Sequence, residues 1–227
     1  MAKTNKAVDN FVRSASSAVL SNGLVTTRTT DDYSKNLYRL PFPEALMKGF
    51  GANISPAHQG NLINSIDFFV PFGTEIYAAA PGKVMRVRSN SNVGGPDVKY
   101  WYQGNYIEIK HKNGEYTWYE HLKFKGVVVS IGEEVKAGQL IGYSGSTGFS
   151  VTPHLHFQVN RYFGKGENDY VTLKARFARC TDLYKVDAGA KKTKIRNLKE
   201  LKKEDSQKRL KAKTDPKRGT RAAARRL

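Results

Sequence analysis

The chain has 227 residues, with 38 Lys and Arg against 20 Asp and Glu, a formal charge of +18. Apolar residues make up 39% and there are 20 Gly; that is enough for a packed core, so a wholly disordered chain is excluded, and no run approaches the roughly 18 apolar residues of a membrane span. The one cysteine, Cys180, excludes an internal disulfide and a zinc site built from Cys pairs, so any metal must be held by nitrogen and oxygen.

Residues 1–37 read as a polar lead-in with at most one short helix. Lys3 and Lys6 are followed by Ala7-Val8-Asp9-Asn10, which breaks any apolar run. Ser17-Ala18-Val19-Leu20 is shorter than the apolar region of about 7–15 residues in a signal peptide, so these residues assign no location. From about Tyr38 the texture changes to short apolar and aromatic runs separated by Gly, Pro and Asn, the pattern of many short strands. The predicted strands are Thr74–Ala79 and Lys83–Arg88 around Pro81-Gly82, then Asn105–Lys110 and Glu115–Leu122 around Asn113-Gly114, a strong hairpin signal. Val127–Val129, Gln139–Tyr143, Leu155–Asn160 and Val171–Phe177 complete the set, and Ser89–Trp101 reads as a long loop. Sustained helical periodicity is absent, so the expectation is one all-β, antiparallel domain over residues 38–180.

Residues 181–227 hold 17 Lys and Arg against six Asp and Glu. They read as a basic tail, partly helical or disordered, with a thin apolar stripe at Ile195, Leu198, Leu201 and Leu210. Such a charge block is ordinarily a solvated extension, and it also suits electrostatic contact with an anionic polymer. No nucleic-acid motif accompanies it.

Chemistry concentrates in the five histidines. In Pro153-His154-Leu155-His156-Phe157, a strand would put His154 and His156 on one face, about 6–7 Å apart, with Leu155 and Phe157 facing the core. Such a pair can serve one metal centre, and it also arises as plain surface. His121, in Tyr119-Glu120-His121-Leu122, shares a strand face with Tyr119 and reads either as a site residue or as a hydrogen-bonded sheet histidine. Asp67, nine positions after His58, sits at the edge of the apolar run Phe68-Phe69-Val70. Burial of an unpaired carboxylate costs several kcal/mol, so Asp67 needs a cation such as zinc, or strong hydrogen bonds as a cap. His111, between Lys110 and Lys112, reads as structural. Trp101, Tyr102 and Tyr106 read as ordinary packing or as the wall of a substrate groove.

Together these stretches resemble the lysostaphin-type (LytM-like) zinc metallopeptidases, a family of peptidoglycan endopeptidases. The resemblance runs from Tyr38 to about Phe177. It rests on Tyr38-Arg39-Leu40-Pro41-Phe42-Pro43, His58 with Asp67-Phe68, Pro71-Phe72-Gly73-Thr74, Tyr119-Glu120-His121-Leu122, Gly138-Gln139-Leu140-Ile141-Gly142, Ser144-Gly145-Ser146-Thr147-Gly148 and Pro153-His154-Leu155-His156-Phe157, in that order. Many members place the Asp four positions after the first His; here the gap is nine. The resemblance implies a β-sandwich-like fold of the duplicated hybrid motif type, and one zinc held by His58, Asp67 and His156. It implies that His121 and His154 act on the water and the transition state. It further implies hydrolysis of peptide bonds in peptidoglycan or a similar cell-wall polymer, outside the cytoplasm, at a wall or a virion. The alternatives are a non-hydrolytic LytM-like activator or scaffold, and a polyanion-binding protein that uses the basic tail. All five expected positions are filled, which favours the enzyme. Neither the bond cut nor the oligomeric state is legible, nor which of His121 and His154 is the base.

Overall fold

The computed structural model describes residues 19, 21–52, 55–164, 166 and 169–178; the basic tail with its apolar stripe and Cys180 lie outside the described residues. In chain order the strands are β1 (Tyr33–Tyr38), β2 (Gly49–Gly51), β3 (Ile66–Phe69), β4 (Glu75–Tyr77), β5 (Gly82–Arg88), β6 (Gly94–Gly95) and β7 (Tyr106–Lys110). They continue with β8 (Glu115–Glu120), β9 (Leu122–Val127), β10 (Glu134–Val135), β11 (Leu140–Ser144), β12 (Gly148–Phe149), β13 (Leu155–Tyr162) and β14 (Tyr170–Phe177). Four short 3₁₀ turns, such as Gly60–Leu62, interrupt them.

The largest sheet has nine strands in the order β1-β14-β13-β8-β7-β5-β10, with β3 also paired to β13 and β2 to β3. β4-β11-β9 form a second sheet and β12-β6 a third. β13 organises the large sheet. Its first residues pair with β3, its later ones with β14, and its other edge pairs with β8.

Alternation along β13 and β8 divides the sheet into two faces. On one, Leu155, Phe157, Val159, Tyr119, Ile107 and Ile109 are fully buried. Phe157 is the hub of this core: its ring lies 5.4 Å from Tyr119, 5.8 Å from Phe177 and 6.4 Å from Tyr38, centroid to centroid. The small sheet covers this face, and Tyr119 caps the contact by accepting a hydrogen bond from the Ala79 amide at 2.8 Å. Gly142 of β11 sits so close that a Cβ there would lie 3.4 Å from Ile107 Cδ1. The other face carries His156, Gln158 and Asn160 of β13 opposite Glu120, Trp118 and Tyr116 of β8.

The all-β reading holds, with corrections. Two pairings are parallel, β1 with β14 and β12 with β6. β1 lies mostly inside the stretch read as lead-in: its inward residues are Ser34, Asn36 and Tyr38, and two polar members of three hide the alternation. The stretch read as a long loop contains β6 and the start of a 3₁₀ turn at Val98–Gln103. Asn113 and Gly114 both adopt positive φ, as their hairpin signal requires.

Candidate metal centre

Asp67 and His156 are direct cross-strand partners, so β3 and β13 present both side chains on the open face. Asp67 Oδ1 lies 2.9 Å from His156 Nδ1 and 3.2 Å from His58 Nε2, and those two nitrogens are 3.3 Å apart. All three residues are buried. His58 comes from the loop before β3, and the nine-residue gap to Asp67 is taken up by the turn Gly60–Leu62. Asparagines fasten that insertion. The Asn61 amide donates to the Thr26 carbonyl, while Asn64 donates through its amide to Thr172 Oγ1 and through its side chain to the Thr172 carbonyl. The insertion is thus pinned to Thr26 and to β14 and leaves His58 at the carboxylate.

The donor chemistry of this cluster fits a metal ion. His156 Nε2 lies 2.9 Å from Gln158 Oε1, which must accept, so Nε2 carries a hydrogen. A neutral His156 then turns the lone pair of Nδ1 toward an oxygen of Asp67, and only a proton or a metal cation between them removes the conflict. Burial disfavours the charged ring, yet its hydrogen bond to Asp67 and the charges of Asp67 and Glu120 carry His156 up to about 9. Burial likewise pushes the Asp67 carboxyl up, but His58, His154 and His156 outweigh it and hold it well below the usual carboxylate range. Two nitrogens and one oxygen within 4.8 Å of one another are a set of zinc donors with a coordination position to spare.

His121 and His154 flank the cluster, their rings 4.5 Å apart. His121 Nδ1 donates to the Thr147 carbonyl at 2.7 Å, and His154 Nδ1 to the Thr152 carbonyl at 2.8 Å. Each neutral ring therefore carries its lone pair on Nε2, and His154 Nε2 lies 3.7 Å from Asp67 Oδ1. Burial, then the neighbouring His154 and His156, hold His121 well below the usual imidazole range. The position of His121 corrects the sequence reading: it does not share a face with Tyr119. β8 ends at Glu120, and His121 has φ 60°, a left-handed turn that swings its ring to the site. The Ser-Gly-Ser-Thr-Gly stretch joins the end of β11 to β12 beside the cleft. Gly145 bridges to His154, and a Cβ at Gly145 would lie 2.6 Å from the Lys123 amide nitrogen.

His111 stands apart. Its Nδ1 donates to the Pro81 carbonyl at 2.8 Å and its Nε2 lies 2.7 Å from Thr117 Oγ1. Burial, rather than the flanking lysines, lowers its pKa. Sequence reasoning passed over Gln158, which receives His156 and also accepts from Ser65 Oγ at 3.1 Å, and Glu120 beside it. The i, i+2 spacing of His156 and Gln158 on one strand was the available signal. A cavity of about 290 Å³ adjoins the cluster, lined by Trp101, Tyr102, Tyr106, Gln158 and Asn160 and reaching His121 and His156.

Residues 61–170 match the family model for peptidase family M23, a span that begins three residues after His58. Lysostaphin of Staphylococcus simulans is 41% identical over 113 residues, covering 49% of this chain and 21% of that protein. The glycyl-glycine endopeptidase ALE-1 of Staphylococcus capitis is 41% identical over 114 residues, covering 49% of this chain and 28% of that one. The solved catalytic domain of lysostaphin is 32% identical and aligns over 62% of this chain and 88% of its own, with a TM-score of 0.38. A β framework carrying a two-histidine, one-carboxylate donor set is what the sequence and the geometry define. Residues 61–170 of the chain form a peptidase family M23 domain. The chain spans about a fifth to a third of the length of the curated relatives it matches.

Proposed function

We propose that the chain is a zinc-dependent endopeptidase that hydrolyses peptide bonds in peptidoglycan or a similar cell-wall polymer, outside the cytoplasm. The observation that carries this reading is the convergence of His58 Nε2, Asp67 Oδ1 and His156 Nδ1 beside two imidazoles whose Nδ1 hydrogens are committed to backbone carbonyls. His58, Asp67 and His156 would hold one zinc ion, which supplies Lewis-acid polarisation of the scissile carbonyl and of water.

The chain's own residues supply the proton chemistry. With Nδ1–H donated to Thr147 or Thr152, an imidazole can take the proton of the attacking water at Nε2 and return it to the leaving amine, an effect of roughly 10²–10⁴ in rate. A ring protonated at Nε2 can donate to the developing oxyanion. The two rings are neighbours, and the charge of His154 disfavours a charge on His121. Gln158 and Ser65 hold the His156 ring in its metal-facing orientation.

The substrate class follows the relatives, whose names specify glycyl-glycine and peptidoglycan DD-endopeptidase activities. The test is digestion of purified walls by the zinc-loaded chain, with the released ends identified. New amino termini that disappear with a chelator and return with zinc support the reading. Zinc bound with no new termini would favour a non-hydrolytic relative instead.

A further inference from the structure

Glu120 is the carboxylate on the cavity wall; the charges of His156 and Arg88 act on it, yet among the described residues it makes no ion pair. Strand register places Asp67, His156, Glu120, Tyr106 and Arg88 in one row across the open face of the large sheet. Adjacent strands lie about 4.7–4.9 Å apart, so Glu120 stands one strand from His156. Its Oε2 accepts a hydrogen bond from the Trp118 indole at 2.9 Å. That indole is itself fixed, stacked on Tyr106 at 4.2 Å with the Arg86 guanidinium 5.1 Å over its face. Beside Oε1 lies Gly104, where a Cβ would sit 2.3 Å from the oxygen, so the backbone leaves the carboxylate its room. Among the described residues Oε1 accepts no hydrogen bond.

The two guanidiniums on the cavity wall are engaged elsewhere. Arg86 grips Glu108 through two hydrogen bonds at 2.8 and 2.9 Å. Arg88 donates to the Tyr102 carbonyl and to Gln103 Oε1. A half-buried carboxylate held in one orientation, with one oxygen unsatisfied, takes a cationic donor from whatever fills the cavity. Only one oxygen is open, so the site suits a point-charge ammonium better than a guanidinium, whose fork needs both.

We propose that Glu120 is a specificity-determining residue that receives a primary ammonium group of the substrate beside the scissile bond. This rests on the endopeptidase reading for its substrate, though not for its test by binding.

The experiment uses the zinc-loaded full chain, with fluorescence of its two tryptophans, Trp101 and Trp118, both on the cavity wall, as the readout. The probes are tetraglycine amide, which has an α-ammonium, its N-acetyl form, which has none, and Nα-acetyl-lysine amide, which has a side-chain ammonium. At least one ammonium probe is expected to bind roughly 10–100-fold more tightly than the N-acetyl form, the scale of one charge-assisted bond; which one does so identifies the source of the amine. In E120Q, whose amide oxygen can still accept the Trp118 N–H, the preference disappears; in E120D, which keeps the charge, part of it survives. Equal Tm values and zinc contents show that the variants are folded and loaded. Wild type binding all three probes alike, or E120Q keeping the preference because the amine sits elsewhere, would overturn the proposal. Walls left intact while the probe preference holds would count against the endopeptidase reading alone; walls cut with no probe preference would count against Glu120 alone.

Discussion

His121 combines a left-handed backbone with a side chain at the site, and the two pull in opposite directions. A bulky residue at φ 60° is strained where glycine is not. His121→Gly is therefore expected to hold or raise the Tm while lowering kcat on walls roughly 10²–10⁴-fold with zinc still bound, and a joint melt, metal assay and rate measurement checks all three. Substitutions in the donor cluster separate from this. His58→Ala and His156→Ala should lose zinc, and Gln158→Leu should weaken zinc binding by roughly 10–100-fold by freeing the His156 ring, measured by competition with a chelator. His111 gives a stability signal instead. Burial lowers its pKa in the fold below the unfolded value of about 6.5, so the unfolded chain binds the extra proton as the pH falls. The stability it contributes is present near pH 7 and is lost below about pH 6.5. The difference in unfolding free energy between wild type and His111→Gln should therefore shrink on acidification through that range.

At the scale of elements, β1 shows how a polar strand is fixed to a sheet. Glu115, buried at the start of β8, accepts hydrogen bonds from the Asn36 amide at 3.1 Å, the Asn36 side chain at 2.8 Å and the Tyr38 hydroxyl at 2.9 Å. It also accepts from the Lys35 amide at 2.5 Å. One carboxylate thus ties the first strand to the middle of the sheet, 77 to 80 residues away in the chain. Removing it strands several donors, each costing about 1–3 kcal/mol when buried and unpaired. Glu115→Ala is expected to destabilise by roughly 3 kcal/mol or more in urea unfolding, and Glu115→Gln by less, because its oxygen can still accept part of the set. β13 does the corresponding work for the site. Its outward residues are His156, Gln158 and Asn160, and its inward ones are the apolar Leu155, Phe157 and Val159, so core packing and site geometry share one backbone.

At the scale of the whole molecule, the charge is uneven: residues 181–227 carry a net +11 of the total +18. If they contact an anionic wall polymer, binding of the full chain to purified walls should fall steeply between about 50 mM and 500 mM salt, because exposed charges are screened over that range. Flat binding by sedimentation would discard the anchor idea. The all-β class, the hairpin at Asn113-Gly114, and the shared face of His154 and His156 were legible in the sequence because each rests on local rules of alternation and turn chemistry. The strand β1 was not, since its inward Ser34 and Asn36 are paid for by Glu115, a partner the local pattern does not show. The facing of His121 was not, since alternation continues a strand that the fold in fact ends at Glu120. The sequence by itself determined which residue types could hold a metal and move a proton. Only the tertiary structure decided that His58, nine positions from Asp67, reaches the same carboxylate as His156, and that Glu120 stands one strand from them with no ion pair among the described residues. Those facts depend on pairings between β3, β13 and β8, and distance between strands is set by packing and register rather than by position along the chain.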